Sequence, residues 1–118
     1  MTNFNAGDKT ATIDTAIPMN ANYSGAMTDV AALESAFFTV TWATADQTDA
    51  TLTLEISHTG VAGSWEAYPN SSYTLGSAAG VHHWNVHLGP IPYIRFAYLK
   101  GTNTTGTYSI VMRGEVPA

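Results

Sequence analysis

The sequence predicts an all-β chain: a single antiparallel β-sandwich, of jelly-roll or immunoglobulin-like type, with about eight short strands. Three observations lead there. Threonine and aromatic residues are plentiful while long helix formers are scarce, and β-branched and aromatic side chains suit a pleated, half-buried surface. Large apolar residues recur with a period of two. Turn-forming clusters separate these runs at intervals of roughly eight to twelve residues.

The strands follow in order. In Phe38-Thr39-Val40-Thr41-Trp42 the large residues occupy alternate positions, so Phe38, Val40 and Trp42 are expected in the core. Leu52-Thr53-Leu54-Glu55-Ile56 repeats the pattern and assigns Leu52, Leu54 and Ile56 to the interior. Beginning at Val81, one face carries His82, Trp84, Val86 and Leu88, and the other His83, Asn85 and His87. Three of the first four are large and apolar, which makes theirs the core side. Ile94 and Phe96, with Tyr98, alternate with Arg95, Ala97 and Leu99; Tyr108, Ile110 and Met112 alternate with Ser109, Val111 and Arg113.

Turn chemistry supplies the breaks: Asp46-Gln47-Thr48-Asp49, Thr59-Gly60-Val61-Ala62-Gly63, Pro69-Asn70-Ser71-Ser72, Gly76 to Gly80, Gly89-Pro90-Ile91-Pro92 and Gly101 to Gly106. Thr28 to Glu34 reads as a loop with one helical turn capped by Thr28 or Asp29. The expected division is a flexible N-terminal arm over residues 1–9 and a β-sandwich domain over residues 10–118.

Composition excludes several functions. Only 11% of the residues are charged and the net charge is −5, with Lys9, Arg95, Lys100 and Arg113 the sole strong bases. Four scattered cations cannot build a phosphate-neutralising surface, so no nucleic-acid partner is expected. Cysteine is absent, which removes disulfides, thiolate metal sites and cysteine nucleophiles. No apolar run approaches the length of a membrane span. Met1-Thr2-Asn3-Phe4-Asn5 lacks the basic and apolar regions of a secretory leader, so synthesis in a cytoplasm is expected.

Three of the four histidines fall within Gly80-Val81-His82-His83-Trp84-Asn85-Val86-His87, which raises the question of a metal. Along a strand His83 and His87 are about 13 Å apart, whereas zinc holds imidazole nitrogens at about 2 Å. His82 and His83 point to opposite faces. No metal site within the strand is expected. No Gly-x-Ser-x-Gly elbow, His-Glu-x-x-His or phosphate loop is present, so neither catalysis nor a cofactor is expected. His83, Asn85 and His87 then form a polar, uncharged sheet face suited to docking.

Nine acids scattered over the chain carry no paired-carboxylate or calcium-loop spacing; Asp46 and Asp49 read as turn formers. Trp42 and Trp84 belong to core faces. Tyr68 and Tyr73 flank Pro69-Asn70-Ser71-Ser72 and are candidates for an exposed contact loop; Trp65, at a loop-strand junction, reads as core or as the third member of an aromatic platform that would suit a carbohydrate. Asn22-Tyr23-Ser24, Asn70-Ser71-Ser72 and Asn103-Thr104-Thr105 fit the N-glycosylation pattern.

The stretch from Tyr23 to Pro69 resembles a pattern of small phage virion proteins. The corresponding residues are Ser24-Gly25, Thr28, Trp42, Thr51 to Ile56, the turn Ser57-His58-Thr59-Gly60 and Trp65. The later stretch Tyr93 to Glu115 is similar to that family's closing hairpin, through Arg95, Tyr98, Gly106-Thr107 and Arg113. Where the family turn reads Ser-Asn-Asp-Gly, this chain has Ser57-His58-Thr59-Gly60 and extra residues before Trp65. The resemblance implies a non-enzymatic virion component made in the host cytoplasm. Such a protein, a capsid decoration or minor capsid protein, would act as a homo-oligomer through multivalent contacts with capsid or other virion proteins. A carbohydrate-binding β-sandwich module is the alternative.

Overall fold

The alternating apolar residues need two faces to close against, and the chain provides them as two antiparallel sheets. The computed structural model describes residues 9–116. Its strands are β1 (Lys9–Pro18), β2 (Tyr23–Ser24), β3 (Thr28–Asp29), β4 (Ser35–Ala45), β5 (Ala50–Ser57), β6 (Glu66–Ala67), β7 (Tyr73–Leu75), β8 (Ala78–His87), β9 (Tyr93–Leu99) and β10 (Thr107–Glu115). The first sheet has the order β1-β10-β4-β8; in the second, β9 and β5 are central, with β2 and β3 along β9 and β6 and β7 along β5.

β2 and β3 share β9 as partner, and β6 and β7 share β5. Each couple is therefore one strand interrupted by a loop, and the described residues form a sandwich of eight strands. Their pairing is nested. β1 bonds to β10, β2 and β3 to β9, β4 to β8, and β5 to β6 and β7. A long antiparallel ribbon wound into two sheets gives this order, which is jelly-roll connectivity. Of the two sandwich types compatible with the sequence, the structure is the jelly roll.

The period-two reading of the core is realised. Phe38, Val40, Trp42, Leu52, Leu54, Trp84, Val86, Ile94, Phe96, Tyr108 and Ile110 are all buried; Ile56, near the end of β5, is half-buried and packs against the same core. Aromatic rings join the sheets. Phe96 of β9 meets Phe38 edge-on at 5.2 Å and Trp84 at 4.9 Å, and Tyr98 meets Tyr108 at 5.1 Å. Each such ring contributes roughly 1.5–3 kcal/mol through burial.

The helical turn expected over Thr28 to Glu34 is absent. Thr28 and Asp29 pair with Ile94 and Tyr93, and the chain then reverses in a β-turn closed by the Leu33 N–H on the Val30 carbonyl at 2.9 Å. Asp29 still serves locally: its Oδ1 accepts the Ala31 N–H at 3.0 Å. Pairing with β9 outweighs a helical preference too short to stand without tertiary support. β1 begins at Lys9; the rest of the arm expected over 1–9 lies outside the described residues. Among the described residues no helix is long and apolar enough to cross a membrane.

Candidate contact surface

The outward positions of the four-stranded sheet build a continuous surface. Register places His83, Thr39 and Val111 in one row across β8, β4 and β10. Asn85, Phe37 and Arg113 form the next row, and Val81, Thr41 and Ser109 the row on the other side. Phe37, Val81 and Val111 expose 43%, 53% and 44% of their surface, although their neighbours on the same strands are core residues. His83 is fixed rather than free: its Nδ1 lies 2.9 Å from Thr39 Oγ1, and its ring stacks on Phe37 at 5.0 Å. The result is a face of apolar, hydroxyl and imidazole groups, with formal charge among the described side chains confined to Arg113 and Glu115 towards one end.

His83, Asn85 and His87 are exposed on this face, as alternation requires. His82 points the other way. Its ring lies flat on Tyr73 at 3.6 Å and edge-on to Trp84 at 4.7 Å. Burial, and secondarily the charge of His83, hold its imidazole below the usual histidine range. Among the described residues no group of three or more His, Cys, Asp or Glu side chains is placed to hold a metal ion.

The other three candidate contact residues do not share a platform. Trp65 is half-buried, with the Arg95 guanidinium 4.5 Å from its ring centroid. Arg95 is itself held by Glu55 at 2.7 Å. Tyr68 is half-buried against the core. Tyr73 opposes the buried Leu52, so its ring turns inward and contacts Trp42, His82 and Trp84. The expectation of an exposed loop over Pro69 to Ser72 fails at Ser71, which is buried. Its hydroxyl accepts the Leu54 N–H at 3.2 Å and donates to the Tyr68 carbonyl at 2.7 Å; its own carbonyl accepts from Trp84 Nε1 at 2.7 Å. Ser71 thus bridges the gap between β6 and β7 and ties it to the facing sheet. A shallow groove of about 330 Å³ opens nearby, lined by Ile56, Ser57, His58, Ser64, Glu66 and the Pro90-Ile91-Pro92 turn.

The turn Ser57-His58-Thr59-Gly60 closes on its own serine. Ser57 Oγ accepts the Gly60 N–H at 2.8 Å and the Thr59 N–H at 3.2 Å, and Gly60 takes φ of +78°.

Polar interior groups escape a search for alternation. Asn103 is fully buried. Its Oδ1 accepts the Asp46 and Gln47 N–H groups at 3.0 and 3.2 Å, and its Nδ2 donates to the Met19 and Thr105 carbonyls at 3.1 and 2.6 Å. Its amide is fully engaged, so Asn103 cannot serve as a glycan acceptor in the folded chain; Asn22 and Asn70 are exposed. Asp46 and Asp49, expected as turn formers, also reach across to the β9–β10 loop. Asp46 Oδ1 accepts the Thr104 N–H at 2.8 Å and its Oδ2 the Thr104 hydroxyl; Asp49 accepts the Thr102 N–H and hydroxyl. These bonds, led by those from Thr104 and Thr102 respectively, hold both carboxyls below their ordinary range.

Asp14 is the exception among the described acids. Register shifts on either side of it in β1 turn it inward beside Ile13, and it is buried. Oδ1 accepts the Ala26 N–H at 3.2 Å, while Oδ2 has no partner, nor does the buried Tyr108 hydroxyl. Burial raises the Asp14 carboxyl above its ordinary range, the Ala26 bond offsetting part of the effect. Burial also lifts the Tyr108 phenol far above its usual value, with the Asp14 charge adding to it, and pushes Tyr98 up to about 12.

No protein-family profile matches the chain, and no curated protein matches it. Solved structures do. The chain is similar to the SPBc2 prophage-derived protein YomS, known from a crystal structure, with a TM-score of 0.65 and 10% sequence identity; the alignment covers 98% of this chain and 99% of that one. It also aligns with a chain from the structure reported as "Bacillus endospore appendages form a novel family of disulfide-linked pili", with a TM-score of 0.42 and 11% identity over 93% of this chain and 88% of that one, a likeness too low to carry an argument. At 10% identity the first similarity speaks to the fold: the sandwich architecture occurs, end to end, in a chain of prophage origin.

Proposed function

We propose that this chain is a non-enzymatic structural component of a phage-like virion, a capsid decoration or minor capsid protein. In this reading it binds capsid or other virion proteins through many weak contacts multiplied by symmetry. The observation that carries the reading is the outer face of the β1-β10-β4-β8 sheet, where Phe37, Val81 and Val111 stand exposed among threonine and histidine. A face with little charge loses little on desolvation, and rigid rings and β-branched side chains give contact area at low entropic cost. The prophage origin of the YomS chain, which shares the fold, supports the same reading.

The test is co-purification. Particles should carry this chain at a fixed multiple of a shell protein, and Phe37→Glu with Val111→Glu should abolish capture while the variant remains folded. A chain that is absent from particles and instead binds glycans, with binding lost on Trp65→Ala, would overturn the proposal in favour of a carbohydrate-binding module.

A further inference from the structure

Two open sheets have four edges, and an exposed edge is a row of unpaired N–H and C=O groups that invites another strand. Three of the four are blunted here. β2 with β3, and β6 with β7, are broken into pieces of two or three residues. β1 is long, but it carries register shifts on both sides of Asp14, a positive φ of +48° at Ala16, the inward Asp14 carboxylate and Pro18 at its end. Bulges, inward charge, proline and brevity are the devices by which natural sheets keep their edges from pairing.

β8 has none of them over most of its length. It runs ten residues, Ala78–His87, with no proline, lysine, arginine or carboxylate. From Gly80 to His87 its register with β4 is unbroken. It bonds to β4 alone, so its opposite edge has no strand partner among the described residues.

We infer that the free edge of β8 pairs antiparallel with β8 of a second copy, joining two four-stranded sheets into one of eight strands about a two-fold axis. The occupant follows from length and charge. An eight-residue regular edge is matched within this molecule only by its own counterpart, since every other described edge is short or bulged. Two chains of net charge −5 repel across most of their surfaces, but β8 brings no formal charge to the contact. A two-fold contact is self-complementary by construction, and pairing Gly80 to His87 with its copy forms roughly eight main-chain hydrogen bonds. This inference stands apart from the virion reading: the edge can pair whether or not the outer face binds a capsid.

Sedimentation of the purified chain tests it. The wild type should be a dimer at concentrations up to roughly 200 µM, a range in which contacts below about 1,200 Å² still become populated. Val81→Lys with Asn85→Lys, both at exposed positions, should be monomeric over the same range. An equimolar mixture with the Val81→Glu, Asn85→Glu variant should recover the dimer as a heterodimer, which also shows that both variants are folded. Val111→Lys, also exposed but two strands in from the edge, should dimerise as the wild type does. A monomeric wild type would overturn the inference. So would a lysine variant that dimerises unchanged, a mixture that stays monomeric, or a Val111→Lys variant that loses the dimer.

Discussion

Replacing Asn103 should cost more than any other single polar change in this domain. Its amide uses two acceptor and two donor positions, and all four partners are backbone groups from three separate segments: Met19 after β1, Asp46 and Gln47 after β4, and Thr105 before β10. Asn103→Ala removes all four bonds. The Met19 carbonyl keeps the Tyr98 hydroxyl at 2.9 Å and so remains satisfied. The Thr105 carbonyl and the Asp46 and Gln47 N–H groups lose their side-chain partner. A buried group left unpaired costs about 1–3 kcal/mol, and the part-buried members recover some of that from water. The expected loss is about 3–4 kcal/mol, against a total stability of about 5–15 kcal/mol for a domain. For a chain of this size that corresponds to a drop in Tm of roughly 12–16 °C.

Asn103→Asp sharpens the test, because it keeps the shape and changes only the donors. The new carboxyl can still accept from Asp46 and Gln47. Ionised, it turns an oxygen towards the Met19 and Thr105 carbonyls and places a charge in a site with no solvent access. Protonated, it restores one of the two donors. Its folded pKa must therefore lie above the unfolded value, so the deficit relative to wild type is fully present above the folded pKa and shrinks as pH falls through it. Urea unfolding of both variants at pH 7 and at mildly acid pH checks this. A loss below about 1 kcal/mol for Asn103→Ala, or a deficit in Asn103→Asp that does not shrink with acid, would refute the bonding scheme.

Asp14→Asn should stabilise the fold at neutral pH by about 1–2 kcal/mol, since it removes a buried carboxylate with one unpartnered oxygen and keeps the acceptor for Ala26. The raised Asp14 pKa makes wild-type stability improve as pH falls through the folded value, so the variant's advantage should vanish below the ordinary carboxyl value of 3.8, as chemical unfolding across pH will show. Asp46 and Asp49 act in the opposite sense: their depressed values supply stability above 3.8 that is lost as pH falls through the folded values, and the Asp46→Asn, Asp49→Asn double variant should flatten that acid limb. Gly80→Ala would place a methyl in the Trp42 ring and should cost about 1–3 kcal/mol, with a change in the near-ultraviolet circular dichroism of Trp42.

How much of this was legible in the sequence depends on whether a residue's environment is set by its own strand or by a distant one. Phe38, Val40 and Trp42 announce their burial because the pleat fixes which neighbours share a face. The same local rule placed His83, Asn85 and His87 outside and Trp84 inside. It has no hold on β2, β3, β6 and β7, where two or three residues cannot show a period. Nor does it choose between jelly roll and immunoglobulin-like order, since that choice lies in pairings such as Lys9 with Gly114. Tyr73 beside a polar turn looks exposed until its pairing with Leu52 turns it inward. Ser71 and Asn103 read as turn residues because their composition is that of turns. Only the approach of other segments makes them interior hydrogen-bonding hubs, and the one visible hint at Asn103, a glycosylation pattern, pointed to the wrong chemistry.

Asp14 shows what such misfits are for. A buried, half-satisfied carboxylate weakens the fold, and the bulge that turns it inward interrupts the β1–β10 ladder. Both costs fall on an edge strand of the same sheet whose other edge, β8, is regular and uncharged. A sheet open at both ends could add copies without limit; with β8 pairing as proposed, the blunted β1 edge would limit the array to a closed pair. On this argument Asp14→Asn gains stability at the expense of solution behaviour only if the bulge relaxes with the charge. If the register shifts remain, β1 stays blunted and the variant is simply more stable. Light scattering of the variant beside its unfolding curve separates the two cases, because growth beyond a dimer requires that both edges pair.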